Sequence, residues 1–162
     1  MSRKAVFVFS LCLFFLLAGS DLPSLTLYVQ GQENKVIYVS TPVVEGDRLT
    51  LSWIHSVEKT PWEETYIVLK DGVMLLEETV FHSFGAGVPH EKGTMTVEDG
   101  QIVARGMNDQ VDALKWIHSH SVHFQLNING ERVFTGADLP HHEKIEIVIH
   151  EEVNEHDRKT NN

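Results

Sequence analysis

Three short turns restrict what this chain can fold into. Asp71-Gly72, Asp99-Gly100 and Asn129-Gly130 each stand between runs rich in apolar and β-branched residues. Such dipeptides take up the left-handed backbone that a tight antiparallel hairpin requires. The runs around them alternate as half-buried strands do. Residues 122–128 put Val122, Phe124, Leu126 and Ile128 on one face, and residues 144–150 do the same with Ile145, Ile147 and Ile149. Further strands are expected over 25–30, 35–40 (ended by Pro42), 48–53, 64–69, 73–81, 94–98, 101–105, 114–118 and 131–134. Residues 106–112 fit one short helical turn. With no helical period between the strands, the expected fold is all-β: a single antiparallel β-sandwich or partly closed barrel of roughly nine short strands, preceded by an N-terminal apolar helix.

That preceding helix is expected from Arg3 and Lys4 followed by the run Ala5 to Gly19, fifteen apolar or small residues. Two positive charges before a short apolar core form the pattern of a secretory signal. The run is short against the ~20 residues of a membrane-spanning helix. Residues 1–21 therefore read as a signal peptide or a short membrane anchor. Either one targets the N-terminus to the cytoplasmic membrane and puts residues 22–150 outside it, as a β domain that is secreted or anchored to the outer face. Residues 151–162 are polar, with no apolar period, and read as a disordered tail. Cys12, the single cysteine, lies in the apolar run, which leaves the β domain without disulfides or thiolate metal sites. A formal charge of −10 argues against nucleic acid and anionic membrane surfaces as partners.

Chemistry-bearing residues are densest between Ile54 and Glu64, which read IHSVEKTPWEE. Pro61 keeps the stretch from being helical, so it is a strand end or a loop. His55, Glu58, Thr60, Trp62, Glu63 and Glu64 are candidates for ligand or partner contact. A carboxylate beside an imidazole can orient it and raise its basicity, and His55 and Glu63 can meet across a tight hairpin. The competing reading is structural: His55 bonds a loop carbonyl, the glutamates cap amides, and Trp62 covers one end of the core. A second cluster is His118, His120 and His123. The first two share one face of an extended segment, as zinc ligands do, with His141 or His142 as alternative third ligands. Against that, the face of His120 continues into Val122 and Phe124, as a core-edge histidine would. A third stretch, SFGAGVP at 83–89, contributes Phe84, Gly85 and Gly87. Its amides can cradle an anion, or its glycines can merely shape a connection. Ser56 beside His55 is no nucleophile pair, because adjacent strand residues face opposite ways.

The segments WIHSVEKTPWEETY (53–66) and ETVFHSFGAGVP (78–89) resemble the bacterial family known as domain of unknown function 1850 (DUF1850). The family pattern His-Ser-Val-Glu-x-Thr-Pro falls on His55 to Pro61. A Glu-x-Tyr falls on Glu64 to Tyr66, and the Phe-x-Ser-Phe-Gly-Ala-Gly-x-Pro loop on Phe81 to Pro89. The resemblance extends over about 25–149. It implies a companion of tripartite solute transporters of the TAXI type, with the permease or the solute-binding protein as partner. No catalytic role is established for that family, and no cofactor is expected. The leading expectation is therefore a non-catalytic accessory or binding module outside the membrane. The alternative is a small metal- or ligand-binding protein or enzyme with a His/Glu site, zinc being the metal.

Overall fold

The computed structural model describes residues 25–82 and 93–151. Among them lie twelve strands: β1 (Leu25–Gly31), β2 (Ile37–Val43), β3 (Arg48–Ile54), β4 (Pro61–Val68), β5 (Met74–Phe81), β6 (Thr94–Glu98), β7 (Gln101–Arg105), β8 (Gln110–Val111), β9 (Ala113–Ile117), β10 (Gln125–Ile128), β11 (Glu131–Thr135) and β12 (Lys144–Glu151). Two single 3-10 turns, His120–Val122 and Gly136–Asp138, are the helical elements among the described residues. The chain is all-β, and its strand pairs are antiparallel. One sheet has the order β2-β1-β12-β9. The larger runs β11-β10-β3-β4-β5-β7-β6, with β8 on β5, and neither sheet closes into a barrel.

Alternation along the strands builds the core. Leu25, Leu27 and Val29 of β1 and Ile145, Ile147 and Ile149 of β12 are buried at the centre of the smaller sheet. Leu49, Leu51, Tyr66, Val68, Met74, Leu126 and Phe134 of the larger sheet join them in one apolar cluster. Each such aliphatic side chain, fully buried, stabilises by roughly 1.5–3 kcal/mol. A second cluster lies on β4, β5 and β7, where Trp62, Phe81, Ile102 and Ala104 pack with Met107.

The turns differ in how they follow the dipeptide rule. Asp99 and Gly100, and likewise Asn129 and Gly130, have positive φ at both positions, and each pair joins strands directly. At Asp71-Gly72 only Gly72 has positive φ. That connection is longer, from Leu69 to Val73, and is closed by the Gly72 N–H on the Leu69 carbonyl at 2.9 Å.

Several expectations are corrected. There are twelve strands rather than roughly nine: each of the eleven segments named from the sequence holds one, and β8, too short to carry a period, is the twelfth. Residues 106–112 form no helical turn: Gly106 and Asn108 have positive φ, and Gln110 and Val111 pair with Leu75 and Met74. Pro42 does not end its strand. β2 is an edge strand, where a missing N–H is tolerated, so Pro42 pairs opposite Thr26. The same strand starts late, because Lys35 turns left-handed and the Asn34 side chain accepts the Val36 N–H. β10 starts only at Gln125, after His123 has adopted a left-handed backbone. The expected N-terminal helix and polar tail fall outside the described residues, apart from Glu151, which closes β12.

Candidate functional site

The IHSVEKTPWEE stretch is the turn between β3 and β4. Pro61 opens β4 opposite Ile54, a first-residue position that needs no N–H. His55 organises the turn. Its N–H donates to the Thr60 carbonyl at 2.9 Å, and its own carbonyl accepts the Lys59 N–H at 2.9 Å. The Glu58 N–H donates to His55 Nδ1 at 3.2 Å, which assigns the ring proton to Nε2. Lys59, with φ of 57°, lets the chain return. The His55 ring stacks on Trp62 at 5.5 Å. Val57, at the tip, is 70% exposed.

Trp62 does not project. It is buried between Phe81 and Trp53, at centroid distances of 4.9 and 6.1 Å. Trp62 therefore backs the turn from the core side, with the His55 ring stacked on it.

Glu63 and Glu64 divide between the two faces of β4. Glu64 shares the inward face with Trp62 and Tyr66, facing Leu51 on one side and Thr79 on the other. Its carboxylate accepts the Tyr66 hydroxyl at 2.6 Å and the Trp62 Nε1–H at 3.2 Å. Burial, then the Glu64 charge, pushes the Tyr66 hydroxyl far above the usual phenol range. Glu63 lies on the opposite face, so it does not meet the His55 ring that stacks on Trp62. Although Glu63 is exposed by area, its carboxyl is crowded on the sheet: burial, then the Glu78 charge diagonal to it on β5, raises its pKa.

The histidine run is pulled apart by the end of β9 at Ile117. His118 is fully buried. Its Nδ1 accepts the Trp116 Nε1–H at 3.3 Å, and its Nε2 lies 2.9 Å from the Gly136 carbonyl as donor. With both nitrogens bonded inside the protein, neither lone pair is offered to a metal. Burial, then the neighbouring His120 and His141, holds its pKa below the usual imidazole value, against the Gly136 bond. His120 follows in the 3-10 turn, exposed, with Nε2 on the Leu139 carbonyl at 2.9 Å. His123 is exposed on left-handed backbone. His141 lies 4.8 Å from His120 and 3.7 Å from His142, ring to ring. Among the described residues no group of three or more histidines, cysteines or carboxylates is placed to hold a metal.

His120 and His123 instead border a groove of about 430 Å³ at the β10–β11 hairpin, with Arg132, Thr135, Gln125 and Phe124. Arg132, Thr135 and Gln125 carry no motif, and sequence reading passed over them. Phe84, Gly85 and Gly87 fall outside the described residues.

The family model for the domain of unknown function DUF1850 matches residues 49–134. The match runs from β3 to β11, narrower than 25–149. It takes in the β3–β4 turn and the groove's lining as far as Arg132, but not Thr135, Gly136 and Ala137, and it omits β1, β2 and β12, which the core requires. Comparisons with curated proteins and with solved structures gave no match. With more than half of its length under that one model, the chain belongs to the DUF1850 family.

Proposed function

We propose that this protein is a non-catalytic accessory module, a β-sandwich working outside the cytoplasmic membrane beside a TAXI-type tripartite transporter, and that the β3–β4 turn is its contact surface. The observation that carries this reading is how the turn is built. Its motif residues hold shape: His55 is bonded to Thr60, Lys59 and Glu58 and stacked on Trp62. Exposed on the turn are Ser56, Lys59 and an apolar residue, Val57. A rigid loop with an exposed apolar tip loses little entropy on docking and suits a protein partner. The transporter as partner rests on the family resemblance. The apolar N-terminal run supports the location.

The test is cross-linking mass spectrometry on native membranes that contain the tagged full-length chain. Links from Lys59 to the permease or the solute-binding protein are expected, and they should fall in Val57→Asp and His55→Ala variants that melt like wild type. Only self-links, with the transporter present and expressed, would overturn the assignment.

A further inference from the structure

We propose that the groove beside the β10–β11 hairpin binds a small organic carboxylate, with Arg132 as its anchor. The site goes beyond the contact surface on the β3–β4 turn and does not depend on it.

The first observation is an arginine without an acid. Arg48 pairs with Glu77, and Arg105 with Glu78 and Glu98, each at 2.6 Å. Arg132 is the third described arginine, and among the described residues it has no carboxylate partner. That stands out in a chain with 23 acidic and 13 basic residues. The adjacent Glu131 forms no ion pair with Arg132, and Asp138, the next acid along the hairpin exit, is already engaged. Its Oδ2 accepts the Thr135 N–H at 2.8 Å and the Thr135 hydroxyl at 3.0 Å.

The second observation is that the hairpin slips its register there. Leu126 faces Phe134, but the next pair is Asn127 with Arg132, so Val133 is an extra residue. A bulge of this kind re-aims side chains, and Arg132 lines the same groove as Gln125 and Thr135. The volume of about 430 Å³ lies in the range of small-ligand pockets.

The lining decides the ligand class. Arg132 supplies the one permanent positive charge of the lining, beside the imidazoles of His123 and of His120, whose Nε2 is held at the Leu139 carbonyl; one such charge balances a monoanion better than a phosphate dianion. The planar fork of the guanidinium matches the two oxygens of a carboxylate. Phe124, only 8% exposed and backed by Trp53 and Trp116 at 5.5 and 5.0 Å, forms a narrow apolar floor beside that charge, and the exposed Ala137 extends it. The Gln125 amide adds polar capacity at the rim. The ligand is thus a carboxylate head on Arg132 with a short apolar body over Phe124.

The test uses the full chain purified in mild detergent, with isobutyrate as probe and isobutyramide and inorganic phosphate as comparisons, read by titration calorimetry. Isobutyrate is expected to saturate one site with a dissociation constant on the order of 1 mM. Isobutyramide and phosphate should bind at least about tenfold more weakly. Arg132→Ala and Arg132→Gln should lose about tenfold or more, and Arg132→Lys should fall between, because it keeps charge without the fork. Arg132 is exposed, so all three variants should melt at the wild-type temperature. Affinity unchanged in Arg132→Ala, phosphate binding more tightly than isobutyrate, or no saturable carboxylate binding by wild type at roughly fifty times that concentration would overturn the site.

Discussion

Replacing His118 by alanine should destabilise the protein far more than the same change at His120. His118 is fully buried, and both its ring nitrogens are bonded, at 2.9 and 3.3 Å. Truncation leaves the Gly136 carbonyl without its donor, at about 1–3 kcal/mol. The half-buried Trp116 indole N–H can regain water, so it adds less. The space left by the ring adds about 1–2 kcal/mol, because its neighbours are already close. A Cβ on Gly136 would sit 3.0 Å from His118 Cε1, which shows how tightly that side is packed. The expected loss is roughly 2–5 kcal/mol. His120→Ala, at an exposed position, should cost under about 1 kcal/mol. Urea unfolding followed by tryptophan emission measures both.

The pH dependence adds a second readout for His118. Its folded pKa lies below the ordinary 6.5, so the unfolded chain takes up a proton more readily. The stabilising share is complete above pH 6.5 and is lost as pH falls from there through the folded value. That share of the slope should vanish in His118→Ala. A loss below about 1 kcal/mol, or a zinc-induced rise in melting temperature that His118→Ala abolishes, would refute the structural role and restore the ligand reading.

Two further outcomes are expected. Glu64→Gln should bring the Tyr66 phenol down towards the ordinary tyrosine range, because the charge that helps hold it up is gone. Ultraviolet titration of the three tyrosines reads this, and identical curves for variant and wild type would refute it. Glu146 is buried on β12. Burial pushes its carboxyl up, but Lys35 at 2.5 Å, Gln30 at 2.8 Å and Lys115 outweigh this and leave it below 4.5. Its contribution is therefore present above pH 4.5 and lost as pH falls through the folded value, so Glu146→Gln should flatten the acid limb of stability. At neutral pH the cost should be about 1–2 kcal/mol, discounted because both lysines are half-exposed. An unchanged acid limb in the variant would count against the pairing.

Local rules were readable from the sequence where the chemistry is local. Asn129-Gly130 and Asp99-Gly100 formed the turns their backbone preference requires. The alternation of Ile145, Ile147 and Ile149 marked a core face. The family was carried by residues around His55 and Phe81. Strand order was not readable, because alternation tells a strand which side to bury and not which strand lies beside it. Nothing local puts β12 between β1 and β9. The histidine run misled for a related reason. Spacing put His118 and His120 on one face, but β9 ends between Trp116 and His120, and the chain turns there. Arg132 stayed hidden because an arginine without an acid is a property of space, visible only once the partners of Arg48 and Arg105 are known. Trp62 was open to two readings, a contact residue or a cover for one end of the core, and only the fold shows that its strand faces inward at that position and buries it.

The aromatic contacts have an optical consequence. The three tryptophans of the chain all belong to one network: Trp53 lies 6.1 Å from Trp62 and 5.5 Å from Phe124, and Trp116 lies 5.0 Å from Phe124 on the other side. Two indoles at the separation of Trp53 and Trp62 share their excitation, so the far-ultraviolet dichroism should carry an exciton couplet. Energy absorbed at any of the three can migrate to the others. The intrinsic emission of this protein is therefore one collective signal from the end of the molecule that holds both the β3–β4 turn and the groove. An event at either place is visible without a label, and replacing one tryptophan will change the light given by the other two.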